Sequence, residues 1–211
     1  MTRHEHWTAV DYVVIDVEGN GARPPELVEL AVLPVRRGEI GDVVTWLVRP
    51  PSPITWHARQ IHGISDHDVA GAPTIDDVVR DVLTALGDAI PVGHGVHTDL
   101  SVLRRALPGW DPPFAMDTLK LARSTLDLPS YGLGALVEHH QLAVGLPAGM
   151  RAHRADYDAL VTARLLVEFA NTLKPGGATL AELRHTAGTT TAPKVNAAVR
   201  ALVGPTLFDL P

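Results

Sequence analysis

The chain has 211 residues, a net charge of −6, 45% hydrophobic residues and 20% charged residues. This composition is typical of a single globular domain, or of one domain with a short appendage. The absence of cysteine excludes disulfides and thiolate metal sites. The negative charge argues against tight wrapping of long duplex nucleic acid, which needs many neutralised phosphates, but is compatible with gripping a short end. Neither a membrane-spanning run nor an apolar secretory signal is found, so we expect a soluble cytoplasmic protein with no membrane partner.

The first part of the chain predicts three antiparallel strands in a meander, because short turns separate three β-branched, apolar runs. The predicted strands cover residues 13–15, 27–35 and 43–48. Prolines 50, 51 and 53 then break the sheet. A short helix over residues 56–62, closed by Gly63, follows them.

The second part predicts alternating helices and buried strands. Thr74 is a candidate N-cap for a helix over 75–86. The other predicted elements are strands at 89–94 and 114–116, and helices at 98–107, 117–124, 130 or 131 to 140, and 154–173. The pattern indicates an α/β fold with a mixed sheet flanked by helices. A Pro-Gly-Gly segment after residue 174 predicts a domain over 1–174 and a tail over 175–211 that is helical or partly flexible.

The first predicted strand ends in Asp16-Val17-Glu18. Since side chains alternate along a strand, both carboxylates point to the same side and repel each other unless a positive charge lies between them. Gly19 and Gly21 follow, where a backbone can turn sharply and a ligand can approach closely. On its own such a pair more often marks a strand that simply ends in solvated acids, so its significance depends on further acids.

Two further carboxylates are candidates for the same place. Asp99 lies in the first turn of the helix that follows the apolar strand, where it could also serve only its own helix dipole. Asp158 shares a helix side with Leu165 and Phe169, so we expect it to face the core, where an acid needs a partner or a metal. Asp156 lies on another apolar side, so this pattern favours Asp158 without deciding between the two.

Together these residues resemble a known signature. Asp16-x-Glu18, then Asp99, then His153-x4-Asp158 is similar to the motifs of DEDDh-type 3′→5′ exonucleases. This group includes proofreading subunits of bacterial replicative polymerases, ribonuclease T and oligoribonuclease, and the resemblance implies a ribonuclease H-like fold. It extends over about residues 10–172. Its other elements are residues 26–50, Ile61-His62-Gly63-Ile64-Ser65, Met116-Asp117-Thr118-Leu119 and Ala155.

The resemblance implies an enzyme that hydrolyses phosphodiester bonds at the 3′ end of single-stranded DNA or RNA and releases nucleoside 5′-monophosphates. Two Mg²⁺ or Mn²⁺ ions would be its cofactors. Carboxylates are preferred ligands of these hard ions, and two such ions can bind both the attacking and the leaving oxygen of the phosphodiester. The implied metal ligands are Asp16, Glu18, Asp99 and Asp158. His153 is implied as the general base, since an imidazole with a pKa of ~6.5 is largely neutral at pH 7.

The substrate-binding candidates are Gly19, Ala22, His62, His97 and Thr98. Gly19 stands where the family usually has threonine, and Ala22 where a larger apolar residue packs on the terminal base. Gly95 and Thr98 replace an asparagine and a phenylalanine of the second motif. His97 could contact substrate, whereas a structural role is the favoured interpretation for His62. The metal ligands therefore match the family while the nucleotide pocket is trimmed.

Two alternatives remain open. One is an oligoribonuclease-like or ribonuclease T-like trimmer of short RNA. The other is a non-catalytic nucleic-acid-binding or polymerase-accessory module that retains the fold. Leu207-Phe208 near the end of the chain is weakly similar to peptides that dock on sliding clamps, so a polymerase or clamp partner is conceivable, although an apolar end packed on the domain is the simpler interpretation.

Overall fold

The computed structural model describes residues 5–190, which form one mixed sheet flanked by helices. Its strands are β1 (Tyr12–Gly19), β2 (Leu27–Arg36), β3 (Glu39–Ile40), β4 (Val44–Leu47), β5 (Ile90–Gly93), β6 (Phe114–Asp117) and β7 (Gly188–Thr190). Its helices are α1 (Trp56–His62), α2 (Asp66–Val69), α3 (Ile75–Leu86), α4 (His97–Ala106), α5 (Thr118–Thr125), α6 (Leu133–His140), α7 (Ala155–Thr172) and α8 (Leu180–Ala187).

The strand order places β1 near the middle of the sheet. The order is β3-β2-β1-β5-β6-β7, and β4 also pairs with β2. β2 runs antiparallel to β1, β3 and β4, whereas β1, β5 and β6 are parallel. The predicted meander and mixed sheet are therefore confirmed. β1 lies where antiparallel pairing changes to parallel pairing, a position at which functional groups gather beyond strand ends.

The alternation of side chains along β1 divides the core into two layers. Tyr12 and Val14 pack in the larger layer with α5, α6, α7 and α8. Val13 and Ile15 pack in the second layer with α3 and α4. Because side chains alternate with a period of two, Asp16 shares the side of Val14, and that side carries α7. The sequence pattern therefore directs the carboxylates of β1 towards the helix that bears Asp158.

Helix ends follow the local capping signals. The side chain of Thr74 and the carboxylate of Asp77 form a capping box at the start of α3, and Gly63 ends α1 in the left-handed conformation. α6 differs from its prediction, since it begins at Leu133 rather than at 130 or 131. The residue before it, Gly132, has extended dihedrals and serves as the N-cap.

The described residues beyond 174 include α8 and β7. The backbone N–H of Leu180 donates to the carbonyl of Glu5, and Leu183 is fully buried in the larger core layer. β7 pairs antiparallel with β6. The boundary near residue 174 stays a prediction, and the Leu207-Phe208 segment lies outside the described residues. Within the range 5–190, none of the helices has the length and apolar character that crossing a bilayer requires.

Candidate active site

Three carboxylates from two elements meet beside the C-terminal half of β1. Asp16 and Glu18 come from β1, and Asp158 comes from the first turn of α7. One carboxylate oxygen of each lies within 4.8 Å of the others. The period-two pattern of β1 and the inward side of α7 thus bring together the residues that the sequence predicted.

Asp99 joins this group from the opposite layer. It lies in the first turn of α4 with only 8% of its surface exposed, and its Oδ1 accepts a hydrogen bond of 3.0 Å from the backbone N–H of Val17. Val17 is the residue between Asp16 and Glu18, so α4 is fixed directly to the acidic part of β1. We call Asp16, Glu18, Asp99 and Asp158 the acid cluster.

The carboxyl groups of the acid cluster repel one another. Burial, followed by the charges of Asp99, Asp158 and Glu18, raises the pKa of Asp16 well above its ordinary value. Burial and the charge of Asp158 raise the pKa of Glu18 to about 8.

The other two acids of the cluster are shifted in the same direction. Burial raises the pKa of Asp99 to about 7, although hydrogen bonds from the backbone N–H groups of Asp99 and Val17 oppose that shift. The pKa of Asp158 rises to about 6, again through burial. Crowded carboxylates that are partly or fully withdrawn from water are stabilised by a cation. An all-oxygen donor set fits a hard divalent ion.

A buried glutamate anchors α7 at the acid cluster. Glu29 of β2 lies directly opposite Glu18 in the β1–β2 ladder and is 4% exposed. Its carboxylate accepts hydrogen bonds from Nε of Arg154 at 2.9 Å, from Nη2 of the same side chain, and from the backbone N–H of Ala155 at 3.0 Å. The first turn of α7 is therefore tied to β2, which sets the position of Asp158.

Sequence reasoning did not identify the pair of Glu29 and Arg154. A signal was nevertheless present, because Glu29 is the only acid within the apolar run that formed the predicted second strand. An acid inside a buried strand needs a partner. Arg154 stands at the start of the predicted long helix, and nothing in the sequence alone connects it to that strand.

His153 lies in the loop before α7, next to the N-cap Arg154, as predicted. It is exposed and has a left-handed backbone with a φ of 61°. A hydrogen bond from its backbone and the charge of its ring both lower the pKa of Asp158, against the larger effect of burial. The preceding loop is tied to α1, since Nη2 of Arg151 donates to the carbonyl of His62 at 3.3 Å. The structure therefore places His153 at the exposed edge of the acid cluster.

The substrate-binding candidates on the loop after β1 are closely packed. A Cβ atom on Gly19 would lie 3.1 Å from Cβ of Pro25, so Pro25 would have to move for a larger side chain. This contact is a physical reason for glycine where the family has threonine. The half-buried Ala22 donates its backbone N–H to Oδ1 of Asn20 at 3.1 Å. Both residues lie within four positions of Glu18 along the chain.

His62 uses both ring nitrogens within the protein. Its Nε2 lies 3.3 Å from the carbonyl of Gly19, and its Nδ1 accepts from the backbone N–H of Ile64 at 3.0 Å. Burial lowers its pKa, which favours the neutral ring that these contacts require. The geometry supports the structural interpretation, because the ring joins the end of α1 to the end of β1.

His97 and Thr98 are exposed in the first turn of α4, next to Asp99. Just before them, the backbone N–H of Gly95 donates to Oδ1 of the buried Asp117 at 2.9 Å. This contact fixes the strand-to-helix connection that carries Asp99. Contact of His97 and Thr98 with substrate stays a prediction.

Comparison with known proteins identifies the family. The model of the RNase_T exonuclease family matches residues 13–166, most of the chain. The chain belongs to this exonuclease family. It is 34% identical over 175 residues to a PolC-type DNA polymerase III of Thermotoga maritima, which aligns 80% of this chain but only 12% of the polymerase. It is also 35% identical over 159 residues to exodeoxyribonuclease 10 of Escherichia coli K12, aligning 75% of this chain and 68% of that enzyme.

Solved exonuclease structures share the fold. Exonuclease X in complex with 5′ overhanging duplex DNA is 34% identical, with a TM-score of 0.67, over 82% of this chain and 98% of that one. Escherichia coli exonuclease I with a dT13 oligonucleotide is 16% identical with a TM-score of 0.64, a likeness of fold. The predicted family, ribonuclease H-like fold and enzyme class, a 3′→5′ exonuclease, are confirmed.

Proposed function

We propose that this chain removes nucleotides one at a time from the 3′ end of DNA, using bound divalent metal ions, and releases nucleoside 5′-monophosphates. The observation that carries the proposal is the acid cluster, in which β1 and α7 bring three half-buried carboxylates together and α4 adds the buried carboxylate of Asp99. Such a cluster destabilises the fold when no cation is bound, and a metal-dependent hydrolase needs a set of acids of this kind to bind its metal.

Asp16, Glu18 and Asp158 would hold a metal ion, because their oxygens already lie within 4.8 Å of one another. We propose that Asp99, whose charge acts on Asp16, contributes directly or through water, and that two Mg²⁺ or Mn²⁺ ions bind in total. When bound, such ions supply neutralisation of phosphate charge and activation of water. Hydrogen bonds within the chain position these acids before any metal binds. Glu29 accepts a hydrogen bond from the first residue of α7, and the backbone N–H of Val17 donates to Asp99.

We propose His153 as the general base that takes a proton from the attacking water. Its backbone forms a hydrogen bond with the carboxylate of Asp158. The residue lies at the exposed edge of the acid cluster, which water and a DNA end can both reach. A neutral imidazole can accept a proton near pH 7. The left-handed backbone at His153 is a costly conformation that recurs at functional sites.

The choice of DNA rests on the relatives. Exodeoxyribonuclease 10 is named for DNA, and the exonuclease X structure contains a DNA duplex with a 5′ overhang. A single-stranded 3′ end and the 3′ end of such a duplex are therefore the proposed substrates, with a cytoplasmic location as part of the proposal. The likeness to a segment of PolC-type polymerases supports a polymerase as the proposed partner class. This chain spans only 12% and 13% of the first two of those polymerases, so their other activities are not carried over.

The test is digestion of matched DNA and RNA oligonucleotides, labelled at the 5′ end or at the 3′ end, with Mn²⁺ or Mg²⁺. We expect a ladder that shortens from the 3′ end on DNA, release of mononucleotide from the 3′ label at the first step, and arrest by EDTA. Faster digestion of short RNA than of DNA would favour the RNA-trimming alternative. Intact substrate in the presence of folded, Mn²⁺-binding protein would favour the non-catalytic module.

Substitutions assign the roles. Asp16→Ala and His153→Ala should each lower the rate at least ~10²-fold. Asp156→Asn is the matched control, because Asp156 lies in the same helical turn as Asp158. Its Oδ1 accepts a hydrogen bond of 2.8 Å from the backbone N–H of Tyr157. We expect that variant to keep its activity.

A further inference from the structure

A positively charged groove lies behind the loop that follows β1. It has a volume of about 480 Å³ and runs between that loop, the segment 48–52 and α4. Three exposed arginines from separate parts of the chain line it: Arg23, Arg49 and Arg105. We call it the arginine groove. In a chain with a net charge of −6, three cations around one groove mark a local site for an anion.

The negative charge near the groove is largely engaged elsewhere. Glu26 lines the groove, but its carboxylate accepts hydrogen bonds from Nδ2 of Asn20 at 2.9 Å and from the backbone N–H and hydroxyl of Ser52 at 2.8 and 3.0 Å. Asp77 lies within electrostatic range of Arg49, yet its carboxylate is bound by the hydroxyl and backbone N–H of Thr74. The groove therefore keeps a positive balance.

The walls of the groove are held in place before any ligand arrives. Asn20 is fully buried, and its Oδ1 accepts from the backbone N–H groups of Ala22 and Glu26. Arg105 crosses from α4 to the loop, with Nη1 2.7 Å from Oγ of Ser101 and Nη2 2.9 Å from the carbonyl of Pro25. A guanidinium has five N–H donors, so Arg105 retains donors for a phosphate.

The groove adjoins the acid cluster but does not include it. Its loop wall begins at Ala22, four residues after Glu18, and Ala22 also belongs to the predicted nucleotide pocket. Its helical wall is α4, which also carries Asp99. None of the four acids, nor His153, lines the groove. A phosphate bound there is therefore held away from the proposed metal ligands and remains intact.

We propose that the arginine groove binds the sugar–phosphate backbone of the second DNA strand, the one complementary to the strand being cut. This inference rests on the proposed function. The cut strand must bring its last phosphodiester, the one before the 3′-terminal nucleoside, to the acid cluster, whereas the second strand needs only backbone contacts that position the duplex. Arginines around a groove lined by prolines and aliphatic side chains provide such contacts, to phosphate oxygens and to the apolar faces of sugars.

The experiment compares kcat/KM on a duplex with a 5′ overhang and on the identical single strand that it presents for cutting. The test variant is Arg23→Ala/Arg49→Ala, with Arg23→Lys/Arg49→Lys to restore the charge. The charge-matched control is Arg36→Ala/Lys174→Ala. Arg36 ends β2 about 30 Å along that strand from Leu27, which lines the groove. Lys174 lies about 24 Å beyond Asp158 along the α7 axis.

We expect the alanine pair to lower the ratio of duplex to single-strand kcat/KM by about tenfold. The slope of the logarithm of the duplex binding constant against the logarithm of the salt concentration should fall by about 2, as expected for the loss of two phosphate contacts. The lysine pair should recover most of the ratio, and the remote pair should leave it unchanged. An equal fall on both substrates would place the cut strand in the groove and overturn the inference, as would no change on either. A wild-type protein that is inactive on both substrates would instead overturn the proposed function itself.

Discussion

The carboxylate of Glu29 on β2 binds the side chain of Arg154, so the strand next to β1 holds the helix that supplies Asp158 to the acid cluster. Glu29 is almost completely buried, whereas the side chain of Arg154 is 31% exposed. Because the same carboxylate also accepts the backbone N–H of Ala155, the pair fixes both the position and the direction of α7 at its first turn. The geometry of the acid cluster therefore depends on two residues outside it.

The first prediction concerns this anchor. Glu29→Gln should lower the free energy of unfolding by about 2–4 kcal/mol, because it leaves a partly buried guanidinium without its counter-charge. It should also weaken Mn²⁺ binding, since Asp158 loses its fixed position. Urea denaturation and a metal titration measure the two effects.

The control for this anchor is an exposed pair. Arg36→Ala removes the ion pair of Arg36 with Asp11, whose side chains are 72% and 56% exposed, and should cost less than about 1 kcal/mol. Equal losses from the two substitutions would contradict the structural role of Glu29.

The second prediction is a pH dependence of the metal-free protein. Glu18 has a pKa of about 8 in the folded chain against an ordinary value of 4.5, and Asp158 about 6 against 3.8. Below the ordinary pKa values, both carboxyl groups are protonated in the folded and in the unfolded chain, so their titration does not change the free energy of unfolding. As the pH rises towards 8 the unfolded chain releases protons that the folded chain retains, so the free energy of unfolding falls.

Thermal unfolding in EDTA at pH 5 and pH 8 measures this effect. We expect the midpoint to fall by about 5 °C more in the wild type than in a Glu18→Gln variant, which cannot titrate at that position. Mn²⁺ should raise the wild-type midpoint more at pH 8 than at pH 5. The same pH response in both proteins would show that the acid cluster does not govern it.

The third prediction separates stability from activity. Asp158→Asn should stabilise the metal-free protein at pH 8 by about 1 kcal/mol, because it relieves repulsion from Asp16 and Glu18. The same variant should lose at least about 10²-fold in nuclease rate. Calorimetry in EDTA and single-turnover digestion with Mn²⁺ report the two changes, and loss of stability together with activity would contradict the electrostatic argument.

The fourth prediction concerns the loop that follows β1. Gly21 has a φ of 79°, and a Cβ atom there would lie 2.1 Å from Oγ1 of Thr55, the N-cap of α1. Gly21→Ala should therefore destabilise the fold by at least about 2 kcal/mol, through backbone strain and a displaced cap. Gly71→Ala is the matched control, since a Cβ on Gly71 meets nothing within 4 Å. Chemical denaturation of both variants measures the difference.

The sequence predicted the fold and the acid cluster because both depend on local periodicity. Side-chain alternation placed Asp16 and Glu18 together, and helical periodicity favoured Asp158 over Asp156. Strong caps such as Thr74 and Gly63 marked helix ends close to their observed positions. Family motifs then connected segments that periodicity alone could not bring together.

Long-range pairs were not predictable in the same way. Glu29 and Arg154 lie far apart in sequence, and only the β1–β2 register together with the packing of α7 brings them into contact. The arginine groove is similar, since Arg23, Arg49 and Arg105 share no spacing that a pattern could reveal. The beginning of α6 was misplaced because Gly132 acts as a cap there instead of a helical residue.

The assembly of the acid cluster from three distant segments has a consequence for when this nuclease can act. Asp16 and Glu18 are made early in synthesis and Asp158 late, and the two parts meet only after α7 has docked on the sheet. A nascent or partly unfolded chain therefore lacks the complete acid cluster, and under the proposed function it would not cut nucleic acid around it. Any metal held by the full set is linked to folding, so the ion that enables cleavage also favours the folded chain.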